Sequence, residues 1–201
     1  MEPETVVSVD IETDGRIPGL HSMRSLGAVA YGPEGESLDT WYRVFEPLPQ
    51  ATTCPETMSW WKDQDPAARE ECFQNPEAVP ADQATREFAA WLRALRNPKM
   101  LAAPVAFDMF FIKWYLESFV GADRIWHNAI DLRSVAMPII NGMRYNGQFR
   151  FGADIKEKLK SLELGAHAHH ALYDAIEQGA IFWGLVAVWE REGYAKTSRG
   201  D

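Results

Sequence analysis

The run Val6-Val7-Ser8-Val9 passes without a break into Asp10-Ile11-Glu12-Thr13-Asp14-Gly15, and no other stretch of the chain limits its fold as much. β-Branched residues dominate a short apolar segment that Asp14-Gly15 ends as a turn, so residues 6–9 read as a buried strand with two carboxylates at its end. Side chains at i and i+2 of an extended segment share a face, and Asp10 and Glu12 can therefore converge on one cation. Hard divalent ions take oxygen ligands of this kind. Two close carboxylates with no partner repel and do not both stay ionised, which makes a bound cation or a nearby base their natural companion. A D-x-E triplet alone is expected by chance roughly once in a chain of this size. Its place at the end of a strand gives it weight.

Residues 25–31 and 38–45 cluster or alternate apolar side chains around Gly32-Pro33-Glu34-Gly35 and read as two further strands joined as a hairpin. Residues 46–55, rich in Pro and Thr, read as a loop. Helical composition follows over 56–64 and over 83–96, the second with Phe88, Trp91, Leu92 and Leu95 at core-facing spacing. The apolar run 100–107 reads as a strand ending on Asp108, ahead of a helical stretch over 109–120. Asp131 and Asp154 each precede a short helical pattern and suit an N-cap, and residues 174–192 read as a long amphipathic closing helix. Three early strands, then helices and at least one more strand, predict a mixed α/β sheet. No Gly/Ser-rich linker divides the 201 residues, so the expectation is a single domain over 1–201 with a short tail from about 195.

The two cysteines, Cys54 and Cys72, make neither a disulfide framework nor a C-x-x-C metal site. With no signal-like N-terminus and no apolar run of membrane length, the expected location is the cytoplasm, with no membrane partner. A formal charge of −9 argues against a large non-specific grip on duplex DNA, which depends on Lys and Arg neutralising phosphates. It does not exclude a nucleic-acid enzyme, because cations bound at a carboxylate site offset local negative charge.

Near the C-terminus stands His167-Ala168-His169-His170-Ala171-Leu172-Tyr173-Asp174. Asp10-x-Glu12, then an apolar run ending in Phe107-Asp108, then His169-x-Ala171-x-x-Asp174 resembles the three motifs of the DEDDh 3′-to-5′ exonucleases, the DnaQ-like superfamily with a ribonuclease H-like fold. The likeness spans residues 6–175, and the order and spacing of the motifs are far more specific than any one of them. It implies two metal ions, Mg²⁺ or Mn²⁺, held by Asp10, Glu12, Asp108 and Asp174, with His169 as general base. It also implies a single-stranded 3′ end of RNA or DNA as substrate, nucleoside 5′-monophosphates as products, and a homodimer as one candidate assembly. The second motif often carries an Asn a few residues before its Phe-Asp, where this chain has Ala103-Pro104-Val105-Ala106.

The chemistry suits these parts independently of the family. Phosphodiester hydrolysis needs an activated water and stabilisation of the attacking and leaving oxygens, which two metals can supply together. A histidine near neutral pKa can take the proton from that water. Plainer readings stand beside these: Asp108 as a helix cap, Asp174 as a solvated acid on a helix, Asp131 as a cap in preference to a metal ligand, and Asp14 as a turn residue. If Ala168 onward were helical, His170 and Asp174 would share a face at i and i+4, so spacing prefers His170 where the family resemblance selects His169. H-x-H-H lacks the partners of common zinc sites. For substrate contact the candidates are Thr13 and Phe107 within the motifs, and Arg150 and Lys158 within the basic and aromatic stretch 144–160. Trp60-Trp61 and Phe110-Phe111 are open between core and substrate. The rival reading is a nucleic-acid-binding or scaffold module of the same fold without catalysis.

Overall fold

A computed structural model of the protein describes residues 4–121, 129–139 and 169–191. Within them the elements run β1 (Thr5–Thr13), β2 (Met23–Tyr31), β3 (Ser37–Val44), α1 (Pro55–Lys62), α2 (Pro66–Gln74), α3 (Ala81–Ala94), β4 (Pro98–Ala102), α4 (Val105–Phe119), β5 (Ala129–Asp131), α5 (Leu132–Ile139) and α6 (Ala171–Arg191). The five strands form one sheet in the order β3-β2-β1-β4-β5. β1 lies at its centre, antiparallel to β2 and parallel to β4, while β5 continues the parallel half.

Alternation along β1 divides the chain between two layers. Val7, Val9 and Ile11 join the core under α3 and α4 with Phe88, Leu92, Phe111 and Ile112. Val6 belongs to a second core with Leu101, Leu132, Ala136, Ala175, Ile181 and Leu185, which packs α5 and α6 on the opposite face. Asp10 and Glu12, even-numbered like Val6, fall on that second face. Helices thus cover the sheet on both sides, as the βα alternation of the later half requires.

Two features bring the ends of elements to Asp10 and Glu12. The parallel ladder between β1 and β4 stops at Ser8 and Leu101, so the second half of β1 has an open edge on that side. On the other side Gly27 pairs with Asp10, and a Cβ at Gly27 would meet the backbone of Ala171 and Leu172 at 2.2 to 2.4 Å. The glycine is what lets the start of α6 lie directly against the sheet.

The strand expected over 100–107 is corrected. β4 ends at Ala102 and Val105 already opens α4, so Asp108 sits in the first turn of a helix. Pro104 has no N–H to continue a ladder, and an apolar run does not by itself distinguish strand from buried helix. β1 continues through Thr13, which places both acids inside the strand rather than beyond it. α2 was not expected: only Ala68 and Cys72 along it are buried, so its periodicity is weak. Its signal is Asp65-Pro66, a cap whose carboxylate accepts the Ala67 N–H at 2.8 Å followed by proline at the first helical position. Asp154 lies outside the described residues.

Candidate active site

Three separate elements deliver the acids. Asp10 and Glu12 come from β1, Asp108 from the first turn of α4 across the open edge of β1, and Asp174 from the first turn of α6. The Asp108 carboxylate accepts a hydrogen bond from the Ile11 backbone N–H, which ties α4 to the gap left by β4. Glu12 and Asp108 are buried, and Asp10 and Asp174 are half-buried.

Burial and mutual repulsion act together on these groups. Burial lifts the Asp10 carboxyl well above the ordinary range, and the nearby charges of Asp108, Glu12 and Asp174 lift it further. Glu12 is raised by burial, then by Asp174 and Asp108. Burial pushes Asp108 up to about 7, and burial with the charge of Glu177 pushes Asp174 up to about 6. A cluster of oxygen donors that resists ionisation when left to itself is one that a hard divalent cation stabilises. The residues present therefore fit such an ion, and Glu12, Asp174 and His169 each offer a ligand atom within 4.8 Å of the others.

His169 reaches the acids through its backbone. It stands at φ 65°, its N–H donates to Asp174 Oδ2 at 3.1 Å, and α6 begins two residues later. The helix begins at Ala171, after both His169 and His170, so the helical face-sharing that favoured His170 does not arise. The His170 ring stacks on Tyr42 at 4.6 Å between centroids and touches Tyr173, while its carbonyl accepts the Asp174 N–H. The His169 ring meets Trp60 edge-on at 4.8 Å and Trp61 at 6.1 Å. Burial lowers the His169 pKa below its ordinary value, which favours the neutral imidazole. His167 lies outside the described residues.

Trp61 is a core residue whose Nε1 donates to the Thr13 carbonyl at 3.0 Å, whereas Trp60 is 44% exposed. A cleft of about 360 Å³ opens beside Glu12, lined also by Thr13, Thr57, Trp60, Trp61 and Phe107. Thr13 and Phe107 therefore sit together, with the Thr13 hydroxyl donating to the Gly15 carbonyl at 2.7 Å. Phe111 is core and Phe110 is 55% exposed. Arg150 and Lys158 lie outside the described residues.

Asp131 is a cap, accepting from the Ser134 N–H and hydroxyl at 2.7 Å. Asp14 is more than the turn residue expected. It is buried, accepts the Ser22 N–H at 2.6 Å and faces Arg24 at 4.0 Å, while its carbonyl accepts the Cys54 N–H. The loop beyond β1 is thereby pinned to the start of β2 and to the approach of α1. Gln178 and Arg133 escaped the sequence reading. Gln178 Nε2 donates to Asp10 Oδ1 at 2.8 Å, and its position four residues after Asp174 on α6 was the available signal. Arg133, two residues past the Asp131 cap, had none.

The family model described as a 3′-5′ exoribonuclease Rv2179c-like domain matches residues 5–185. The chain is 26% identical over 190 residues to the 3′-5′ DNA exonuclease Cap18 of Escherichia coli, covering 90% of this chain and 91% of that protein. E. coli Exonuclease I in complex with a dA16 oligonucleotide superposes with a TM-score of 0.67 at 15% identity, over 98% of this chain and 44% of the other. Cell-death related nuclease 4 gives a TM-score of 0.64 at 13% identity, over 91% of this chain and 64% of that one. The chain spans less than half the length of Exonuclease I, and at these identities the likeness is one of fold: a mixed sheet flanked by helices, ribonuclease H-like.

Proposed function

The chain belongs to the 3′-5′ exoribonuclease Rv2179c-like family, and from that premise we infer that it is a metal-dependent 3′-to-5′ exonuclease releasing nucleoside 5′-monophosphates from single-stranded ends. The observation that carries this reading is the meeting of four carboxylates from β1, α4 and α6 beside His169. Asp10, Glu12, Asp108 and Asp174 would hold Mg²⁺ or Mn²⁺, and ions bound there would supply charge stabilisation for the attacking and leaving oxygens of a phosphodiester. His169, whose pKa burial lowers, takes the proton of the attacking water as the water oxygen bonds to phosphorus and the P–O3′ bond breaks, the departing O3′ taking a proton from solvent. The backbone bond from His169 to Asp174 keeps the ring beside the acids while that proton moves.

The cleft beside Glu12 receives the terminal nucleotide, with Trp60 and Phe107 as the apolar walls for a base and Thr13 at its floor. Arg150 and Lys158 grip phosphates farther along the strand. A chain of net charge −9 has little to hold a duplex with, so unpaired 3′ ends are the substrate form.

The test is a time course on matched 5′-labelled RNA and DNA oligonucleotides, single-stranded and blunt-duplexed, with Mg²⁺ or Mn²⁺. A ladder shortening from the 3′ end of the single strand is expected, and comparing the two polymers assigns the sugar. Internal cuts, equal rates on blunt duplex, or no cleavage of either polymer would reject the reading, the last in favour of a binding module.

A further inference from the structure

A second cleft borders the carboxylates. Its volume is about 290 Å³, and it opens beside Asp10 and Asp174 where the first opens beside Glu12. Ala103, Leu132 and Ile181 supply apolar surface, and Arg133 is the one Lys or Arg lining it among the described residues. Gln178, also in the lining, has its amide nitrogen committed to Asp10, which leaves Oε1 turned elsewhere, buried and without a hydrogen-bond partner. A buried acceptor left unpaired is costly, so a group that supplies a donor there gains more than an ordinary hydrogen bond.

Cutting an internucleotide bond places one nucleoside on each side of the reacting phosphate. The aromatic cleft suits the base of the nucleotide being released. The other side must take the next nucleoside together with the phosphodiester on its 5′ side, which calls for a cation and a hydrogen-bond acceptor in place of aromatic rings. We propose that the Arg133–Gln178 cleft is the subsite for the penultimate nucleotide, with Arg133 on its 5′ phosphodiester and Gln178 Oε1 accepting from its sugar or base. Arg133 is placed for this because Asp131 caps α5 and sets its first turn beside the acids. A guanidinium matches phosphate oxygens in a planar fork that an ammonium lacks.

This inference rests on the exonuclease reading, and two substrates separate it from that reading. The p-nitrophenyl ester of a nucleoside 5′-monophosphate carries the terminal nucleotide and a leaving group but no penultimate nucleoside. A trinucleotide carries all three units and both phosphodiesters. Arg133→Ala should raise KM for the trinucleotide roughly tenfold to a hundredfold, as for loss of a charged hydrogen bond, and change KM for the ester less than twofold. Arg133→Gln, which keeps the length of the side chain, should show the same split, so the result does not hang on one variant. Equal effects on both substrates would mean that Arg133 acts through the neighbouring acids, and no effect on either would mean that the strand does not cross this cleft; both overturn the proposal. Failure of the unsubstituted protein to cleave ester and trinucleotide alike would overturn the exonuclease reading first.

Discussion

The Asp10–Glu12 segment of β1 and the His169–His170 turn meet at the same acid cluster, yet they are held in different ways. β1 is hydrogen-bonded to β2 over its whole length and to β4 over its first half, and its odd-numbered side chains are locked in a core with almost no exposure. Its two acids are positioned by the ladder itself. The turn has no ladder among the described residues: the His169 N–H bond to the Asp174 carboxylate, the Asp174 N–H bond to the His170 carbonyl, ring contacts with Trp60, Tyr42 and Tyr173, and a left-handed residue shape it. On the proposed mechanism the rigid half carries the charge, and the half placed by a few packed rings carries the proton.

The largest effect should come from the rigid half. Asp10→Ala and Asp174→Ala are each expected to abolish nuclease activity while the fold survives, because each removes an oxygen ligand from a geometry that only a few ligands define. Circular dichroism with a gel assay checks this, and excess EDTA should do the same to the unsubstituted protein. Retained activity in either variant would break the contrast at its root.

On the turn, His169→Ala should slow turnover by about 10²- to 10⁴-fold, the usual worth of a general base, with Mn²⁺ binding by calorimetry largely kept. His170→Ala, which removes stacking on Tyr42, should be mild. The opposite order would show that the family resemblance is off by one residue here and that the helical spacing, which prefers His170, is the better guide.

The third expectation concerns charge in the metal-free protein. Asp108 and Asp174, pushed up to about 7 and about 6, hold protons in the folded state that an unfolded chain with ordinary carboxyls near 4 has already released. Their contribution to stability is therefore fully present below about pH 4 and is lost as pH rises through 7, on the order of a few kcal/mol. The melting midpoint in EDTA should fall between pH 5 and pH 8, saturating Mn²⁺ should restore it, and Asp108→Asn should flatten the slope. A midpoint that is level or rises over that range without metal would contradict the raised carboxyls of Asp108 and Asp174.

The smallest effect joins the two halves. Gln178 sits on α6, as Asp174 does, and holds Asp10 on β1. Gln178→Met keeps length and packing but removes the donor, and should lower kcat and Mn²⁺ affinity by about tenfold, the low end for a partner behind a metal ligand. Unchanged Mn²⁺ affinity would show that β1 orients Asp10 unaided.

Asp10 and Glu12 were legible in the sequence because a β-branched run and a period of two place side chains by local rules. The closing helix and the hairpin were legible for the same reason, their patterns lying wholly within each segment. Asp108 was expected at the end of a strand, and the structure sets it in the first turn of α4. Whether residues 105–107 extend a strand or open a helix depends on β4 ending at Ala102, which the pairing with β5 and the missing N–H of Pro104 decide. Trp60 and Trp61 are adjacent and alike in sequence, and only packing on Ala68, Cys72 and Phe73, with the bond to the Thr13 carbonyl, makes Trp61 core.

By itself the sequence determined most of the element types, the three motifs in order and the chemical character of each candidate site group, since these follow from residue identity and short-range spacing. Tertiary structure alone decided which groups share a charge and which share a cleft. Repulsion among Asp10, Glu12, Asp108 and Asp174, the bond from Gln178 and the placement of Arg133 join residues up to 168 positions apart. Distances of that kind are set by where sheets end and helices pack, and no local pattern of residues encodes them.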